Sequence, residues 1–330
     1  MKQHMKKAIA LVLVVCLLVT PFSAFNFSDS GITTRNLPPR IEGLNISGEV
    51  PELIPAAGTF YNSINERIDE VFSALLADAR RVRARSVAFS FEAYQSGNIV
   101  SIVLEARVSS VISRTLVRSI NFCSRTGHAV TLRNALDMDI VPLASRILAD
   151  NMRRNPEHFY SIPTTLDHQA FFVDNNGLTI FFDEFQLSAM VSGVVTLELL
   201  HENIRVATIT EEQTLSRGNG YNLVMVPLSA VASQFGFTPD WNPATRRAVI
   251  LNGDEEVAWM RIGINSYHTS AGQRSLEAAP FLVQGHTFVP ITFFTQIFPL
   301  TVYSIDSDGN IVFLTYAEII EPEEEAIELE

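Results

Sequence analysis

The stretch Met225-Val226-Pro227-Leu228 decides the fold of the last third of the chain, because it returns 63 residues later as Phe288-Val289-Pro290-Ile291. The two copies align without a gap, so that Phe235 falls on Phe298. Each copy reads as Val-Pro, an apolar helical stretch, a turn and a strand. A supersecondary unit that occurs twice predicts a duplicated strand-helix-strand module. The copies share no acid, histidine or cysteine position, which favours a scaffold or adhesive module over a reaction centre.

The residues before the repeat predict a separate domain of helices and strands. Apolar residues recur at helical spacing from Thr59 to Ala79, and Ser63 with Glu66 has the spacing of a capping box. Strands are predicted around Val87–Phe91 and at Ile99–Ala106, Thr115–Phe122 and Val194–Leu200, with a second helix from Ile140 that stops at Asn155-Pro156.

A hairpin is predicted at Phe171–Phe182, where two apolar runs flank an Asn-Gly step. The polar segment Thr208–Gly220 is predicted to separate this domain from the repeat, with the boundary near residue 207. The fold class that follows is α+β, with an antiparallel sheet and packed helices followed by the duplicated module.

Length and composition support two compact domains. The chain has 330 residues, of which 47% are apolar and 18% charged, which is enough material for two cores. The predicted plan is a signal peptide or N-terminal anchor at 1–24, a solvated linker at 25–50, an α+β domain at 51–207, the duplicated domain at 208–317 and an acidic tail at 318–330.

The N-terminus has the order of a secretory signal, with Lys2, Lys6 and Lys7 before the uncharged run Ala8–Val19 and a small Ala24 after it. The run is shorter than the roughly 20 apolar residues that span a bilayer as a helix, so cleavage is favoured over an uncleaved anchor. The sequence therefore predicts an extracellular or envelope-associated protein that meets the membrane only through this segment.

The formal charge is −12, and removal of the signal would make it more negative. Nucleic acid is excluded as a partner because its binding needs clustered cations. A cationic partner or simple solubility agrees with this charge. Export would leave Cys123 as the one cysteine, so no disulfide can form within the mature chain, and nothing in its local sequence predicts a reactive thiol.

No motif for chemistry is found along the chain. The histidines lack the paired spacing of metal ligands, and no nucleophile elbow or phosphate-binding loop is present. Asp306–Asn310 is predicted to be a tight turn with Gly309 at positive φ, since the first copy has no acids there to match a calcium loop. The sequence thus predicts no enzyme, no cofactor and no metal.

A set of apolar and glycine motifs runs through the first domain: Ile120-Asn121-Phe122, Gly127, Thr131-Leu132, Phe171-Phe172-Val173, Gly177-Leu178, Phe181-Phe182, Phe185 and Ser192-Gly193. Through them, about residues 51–205 resemble the extracellular domain of lysozyme-sensing anti-sigma-V factors, which also precedes the catalytic domain of some peptidoglycan deacetylases. The chain has only seven residues before its apolar run and carries the repeat where those deacetylases have their catalytic domain. Sigma-factor control and deacetylation are therefore not expected.

The second domain carries Val226-Pro227-Leu228, Phe235-Gly236, Trp241, Gly263, Gly285 and Val289-Pro290-Ile291. Through these residues, about 208–316 are similar to the stalk domain named after the N-terminus of copper amine oxidases. The resemblance implies a stalk without copper, because the stalk in that family is separate from the copper-bearing domain.

These observations lead to one main hypothesis and two alternatives. The main hypothesis is a non-enzymatic exported envelope protein that binds a wall component such as peptidoglycan, or a protein ligand, through its first domain, with the second as a stalk or attachment module. The first alternative is a sensor or inhibitor that binds a cationic protein such as lysozyme; the second is an unrecognised wall hydrolase. Candidate partner contacts are the polar residues of the hairpin turn and the loop after it: Asp174, Asn175, Asn176, Asp183 and Glu184.

Overall fold

The computed structural model describes residues 31–317 except 42, 56–59, 157–158, 160–162, 188–192 and 218–222. The predicted signal or anchor at 1–24 and the acidic tail at 318–330 lie outside the described residues. The chain divides into two compact units, Met1–His201 and Glu202–Glu330. Sheets combined with a few helices confirm the α+β class.

The first unit is built on a six-stranded sheet. Its elements are β1 (Ile32–Asn36), β2 (Arg40–Ile41), β3 (Leu44–Leu53), helix α1 (Tyr61–Arg81), β4 (Ser86–Ser96), β5 (Ile99–Ser109) and β6 (Arg114–Cys123). The order is β1-β3-β4-β5-β6, with β2 also paired to β3, so β6 is an edge strand. The pairing of β3 with β4 is parallel, and the sheet is therefore mixed rather than purely antiparallel as predicted.

The prediction of a solvated linker at 25–50 is wrong for its described part. Strands β1, β2 and β3 lie in or next to this segment, and the β3 side chains Leu44, Ile46 and Val50 are buried in the core of the sheet. Gly48, at φ +92°, lets β3 pass close to β4, because a Cβ there would lie 1.9 Å from the carbonyl oxygen of Phe89. Local proline and glycine content suggested a spacer, whereas pairing with a distant strand determines the structure.

Helix α1 packs its apolar stripe into the same core. Ile64, Ile68 and Leu75 are buried against the strands, as helical spacing predicted. The predicted capping box is wrong, because the helix begins after Phe60 without a side-chain cap and the Ser63 hydroxyl instead donates to the Phe60 carbonyl at 2.8 Å.

A second, three-stranded sheet packs on the main sheet near its β6 end. Helix α2 (Val141–Arg154) precedes the strands β7 (Ala170–Val173), β8 (Gly177–Phe182) and β9 (Val195–Leu200). The order β7-β8-β9 confirms the predicted hairpin and the strand after it. Backbone N–H groups of β7 donate to serine hydroxyls of the main sheet, Phe171 to Ser119 at 2.9 Å and Val173 to Ser101 at 3.2 Å. These bonds fix β7 over β5 and β6.

The second unit contains two short helices and twelve described strands. They are β10 (Ile204–Ile209), β11 (Leu215–Arg217), β12 (Leu223–Pro227), α3 (Leu228–Gln234), β13 (Thr238–Asn242), β14 (Arg247–Asn252), β15 (Glu255–Arg261), β16 (Ser266–Thr269), β17 (Gly272–Ser275), β18 (Phe281–Val283), β19 (His286–Pro290), α4 (Thr292–Ile297), β20 (Thr301–Ile305) and β21 (Ile311–Tyr316). They form three sheets, β11-β12-β19-β18, β13-β14-β15-β16-β17 and β10-β21-β20.

The two repeat copies meet at the strands that carry the Val-Pro motif. Strand β12 pairs with β19 in antiparallel register, so that the equivalent residues Val226 and Val289 lie opposite each other. This register is that of a local two-fold axis between the copies. The equivalent Phe235 and Phe298 also meet, with ring centroids 5.9 Å apart in a T-shaped contact. The copies thus form one core across a self-complementary seam.

Strand β10 belongs to the second unit because it pairs with β21. In the first copy, the equivalent of β21 is β14, which pairs with β15 in the same antiparallel way. The predicted boundary near residue 207 falls inside this strand, and the units divide between His201 and Glu202. The segment Thr208–Gly220 is not a mere separator, since its described part includes the end of β10, a 3₁₀ turn and β11.

Candidate functional site

The predicted contacts at the hairpin turn have different environments. The Asp174 carboxylate accepts hydrogen bonds from the backbone N–H groups of Asn176 and Gly177 at 2.8 and 2.9 Å, and so shapes the turn. Asn175 and Asn176 are exposed. The two asparagine side chains are therefore the accessible part of this predicted contact set.

The other two predicted contacts fasten the edge of β6. Asp183 accepts from the backbone N–H of Val117 at 2.7 Å and forms an ion pair with Arg118 at 2.8 Å. Glu184 accepts from the backbone N–H of Thr115 at 2.8 Å, and its own N–H donates to the Thr115 carbonyl. Both carboxylates thus accept the backbone hydrogen bonds that a neighbouring strand would otherwise accept along the first half of this edge.

The turn that carries these acids is held under backbone strain. Phe185 has φ +67°, a conformation that a bulky side chain rarely adopts and that costs about 1–3 kcal/mol. Asp183 N–H donates to the Gln186 side chain at 2.9 Å, which helps to fix the turn. Six residues of β8 separate Asp183 from the hairpin turn, a distance of roughly 20 Å at the strand rise. The structure therefore does not bring the five predicted contacts into one site.

A polar cleft opens on the second half of the same edge. It has a volume of about 260 Å³ and is lined by residues of α1, β6, β7 and the loops that follow β6 and precede β7: Arg67, Glu70, Val71, Ser119, Ile120, Asn121, Val130, Thr131, Asp167, His168, Gln169 and Phe171. We call it the β6 cleft. Above it the edge closes again, because the Val130 N–H donates to the Asn121 carbonyl and the Cys123 N–H to the His128 carbonyl, both at 2.9 Å.

Asn121 is the unusual residue of the β6 cleft. Its side chain is 4% exposed, and its Oδ1 has no hydrogen-bond partner among the described residues. Its Nδ2 donates to the Ser119 hydroxyl at 3.0 Å, and that hydroxyl also accepts from the backbone of Phe171. A hydroxyl that already accepts two bonds keeps its own hydrogen for donation. The cleft thus offers a buried acceptor beside a donor.

Charged groups surround this polar pair. Arg67 is half-buried on α1, and within the described residues its guanidinium has no carboxylate at ion-pair distance. Glu70 is exposed one helical turn further along. Asp167 is already paired, since hydrogen bonds from Arg133 and Thr165 lower the pKa of its carboxyl. Among the described residues, Arg67 is therefore a cation of the cleft that is available to a ligand.

Cys123 lies where β6 ends. A hydrogen bond from the Thr126 side chain, with further backbone hydrogen bonds, lowers the pKa of its thiol. The local sequence did not predict this effect, because it depends on the turn geometry that follows the strand.

The second unit carries a surface stack across its five-stranded sheet. The Trp259 indole lies parallel to the His268 imidazole with centroids 3.9 Å apart, and the Arg247 guanidinium lies 4.0 Å from the indole centroid. Trp259 pairs with His268 across β15 and β16. Because both indole faces are occupied, the stack stabilises the sheet and leaves no face for a planar ligand.

Metal and membrane features were sought in the part of the chain that the structure describes. There, no group of three or more His, Cys, Asp or Glu is placed to hold a metal ion. None of the described helices has both the length and the apolar character needed to cross a bilayer.

The structure is that of a two-unit α+β protein. The first unit contains the polar β6 cleft, and the second unit is the duplicated module. Residues 211–313 of that module match the family described as copper amine oxidase N-terminal domain. This match includes both copies of the repeat and confirms the resemblance predicted for the second domain.

The other comparisons cover smaller or more distant likenesses. A Brevibacillus choshinensis protein called "Protease inhibitor" is 31% identical over 101 residues, which is 31% of this chain and about a third of that relative's length. Crystal structures of DUF3298 family proteins from Bacteroides fragilis and Pseudomonas aeruginosa cover 52% and 53% of this chain and 88% and 93% of theirs. Their identities are 10% and 14% and their TM-scores 0.32 and 0.36, too low to establish a common fold.

Proposed function

We propose that this chain is a non-enzymatic, exported protein of the cell envelope that binds a wall component through the β6 cleft. The observation that carries this proposal is the buried acceptor of Asn121, which has no hydrogen-bond partner among the described residues and lies in the same cleft as Arg67, which has no carboxylate partner among them. A buried acceptor without a partner costs about 1–3 kcal/mol, a cost that a ligand donor would offset. Wall glycans and peptides are rich in the N–H and O–H donors that this acceptor needs.

The second unit is proposed to be the stalk or attachment module. Its support is the self-complementary seam of the two copies and the match to a domain found at the N-terminus of copper amine oxidases. The proposed location rests on the signal-like N-terminus and on the resemblance of the first domain to envelope sensor and deacetylase domains.

Cosedimentation with purified peptidoglycan tests this function. The purified protein is expected to pellet with the wall, and Asn121→Leu to bind about tenfold more weakly, the effect of one lost hydrogen bond to a buried group. Asn45→Leu, at an exposed position of β3 outside the cleft, is the matched control and is expected to bind normally. Absence of wall binding by the unaltered protein would refute the proposal, and release of soluble wall fragments would show an enzyme instead.

A protein ligand is the second candidate. The charge of −12 favours a cationic protein such as lysozyme. The Brevibacillus relative is called a protease inhibitor, and the match covers about a third of its length. Calorimetry with lysozyme at low and moderate salt tests this candidate, since charge-driven binding weakens as salt rises. Charge changes belong at Asn175 and Asn176, because lysine at Asp183 or Glu184 would also disturb the edge of β6.

A further inference from the structure

We propose that the β6 cleft binds the carboxyl-terminal end of a short peptide; this inference rests on the proposed wall-binding function and names its ligand. The cleft groups define three complementary positions on a ligand. An amide N–H would donate to Asn121 Oδ1, a carbonyl would accept from the Ser119 hydroxyl, and a carboxylate would pair with Arg67. A peptide terminus carries all three groups within one or two residues.

The size of the cleft favours a chain end. Its volume of about 260 Å³ is slightly below the range of roughly 300–1,000 Å³ for small-molecule pockets. The edge of β6 is covered below by Asp183 and Glu184 and above by the Val130 and His128 backbone bonds. A long extended segment would meet these covers, whereas a terminus fits between them.

The charges of the cleft select the same ligand. Arg67 is half-buried and has no carboxylate partner in the described part of the chain, while Asp167 is neutralised by Arg133. A partly buried guanidinium discriminates a carboxylate from a neutral amide more strongly than an exposed one does. Glu70, on the exposed side of the cleft, lies where it would attract an amino group on a preceding ligand side chain.

A neutral glycan meets these requirements only in part. Its hydroxyl or acetamido group would satisfy Asn121, but it offers no charge to Arg67. The peptide end is therefore the ligand that satisfies Asn121, Ser119 and Arg67 together, and the glycan becomes the alternative arm of the test.

Isothermal titration with three defined probes tests the inference. The probes are acetyl-Lys-Ala-Ala with a free carboxylate, in both stereochemical series, the same peptide with a terminal amide, and a tetramer of N-acetylglucosamine. The free acid is expected to bind at least about tenfold more tightly than the amide, since only the acid pairs with Arg67. The glycan is expected to bind weakly or not at all.

Variants show which group acts on which part of the ligand. Arg67→Gln is expected to reduce the affinity for the acid to that for the amide, without changing the affinity for the amide. Asn121→Leu is expected to weaken the binding of both peptides, because the acceptor for the ligand amide is removed, and thermal melting is used to confirm that the variant stays folded. Arg81→Gln, on the same helix but outside the cleft, is the matched control and should bind like the unaltered protein.

The outcomes separate this inference from the function on which it rests. Equal affinity for acid and amide, preference for the glycan, or no probe binding by a protein that still pellets with wall would overturn the peptide-end assignment and leave wall binding intact. Failure to bind both the probes and the wall would remove the proposed function as well.

Discussion

The edge of β6 in the first unit and the Val226–Val289 seam in the second are closed in different ways. At the seam, equivalent strands of two copies pair directly, and aromatic rings fill the core beside them. At the edge of β6, acid side chains cover the first half and a loop covers the end, while among the described residues the buried Asn121 Oδ1 has no hydrogen-bond partner. A closed seam provides stability, whereas an incompletely closed edge provides polar groups for a ligand.

The largest expected effect is on the seam. Phe235 is 4% exposed and contacts the rings of Phe294, Phe298 and Phe313, so Phe235→Ala should lower the unfolding free energy of the second unit by about 3–5 kcal/mol. Phe298→Ala, at the equivalent position, should act in the same way.

Denaturant unfolding followed by tryptophan fluorescence measures this effect selectively. Both tryptophans of the chain, Trp241 and Trp259, lie in the second unit and report on it alone. Wall binding at low denaturant should not change. A decrease of less than about 1 kcal/mol in the unfolding free energy, which is the ordinary range for surface changes and small truncations, would contradict a stabilising role of the seam.

The next effect concerns the cover on β6. Asp183→Lys removes the acceptor of the Val117 N–H and places a lysine beside Arg118, so the first unit should lose about 2 kcal/mol. Circular dichroism of the unfolding transition, compared with the fluorescence signal of the second unit, assigns the loss to the first. Asn175→Lys, exposed on the hairpin turn at the other end of β8, should change stability by less than about 0.5 kcal/mol. Equal effects of the two variants would show that Asp183 does not hold the edge.

A smaller effect is expected at the surface stack of the second unit. Trp259→Ala removes the contacts with His268 and Arg247 and should cost about 1–2 kcal/mol, the sum of a cross-strand pair and a cation–π contact with some lost burial. Thermal unfolding followed by circular dichroism measures this cost. Because the stack is assigned a structural role, a loss of wall binding in this variant at a temperature where it stays folded would contradict that assignment.

The smallest expected effect on stability depends on pH. It concerns a turn that contains acids in the second copy of the repeat and none in the first. In the β20–β21 turn, hydrogen bonds from Asn310 and from backbone N–H groups lower the pKa of Asp306 below its ordinary value. When the pKa of a carboxyl is lower in the folded state than in the unfolded state, the ionised carboxylate stabilises the fold. This contribution is fully present above the pKa of the unfolded state and is lost as the pH falls through the pKa of the folded state. Asp306→Asn should therefore be slightly less stable than the unaltered protein at neutral pH.

A pH series of thermal melts checks this sign. The difference between the proteins should shrink once the pH falls below about 4, near the ordinary aspartate pKa. Asp308→Asn, which removes a carboxylate from the same turn but keeps the Asp306 acceptor, serves as control. A difference that grows toward acid pH would contradict the assignment.

The sequence predicted those parts of the fold that depend on local patterns. The helix at Tyr61–Arg81, the hairpin at Phe171–Phe182 and the positive φ of Gly309 follow from spacing and turn chemistry. The strands at 32–53 could not be predicted, because β3 gains its stability from parallel pairing with β4, more than thirty residues later in the chain. Local composition rich in proline gives no indication of such long-range pairing.

The candidate site was only partly visible in the sequence. Asp183 and Glu184 follow a strand in a polar turn, and nothing local distinguishes an acid that bonds a distant backbone from one in solvent. Asn121 did give a signal, since it stands between Ile120 and Phe122 in a strand that is otherwise apolar at this point. Whether its Oδ1 has a hydrogen-bond partner depends on the loops beside β6, which are distant in sequence, and among the described residues it has none.

The most direct measurement is peptidoglycan cosedimentation of Asn121→Leu beside Trp259→Ala, with both proteins first shown to be folded. We expect about tenfold weaker binding for Asn121→Leu and unchanged binding for Trp259→Ala, because the β6 cleft is the proposed binding site and the Trp259 stack is assigned a structural role. Normal binding by Asn121→Leu together with weakened binding by Trp259→Ala would contradict this expectation and move the binding site to the duplicated unit.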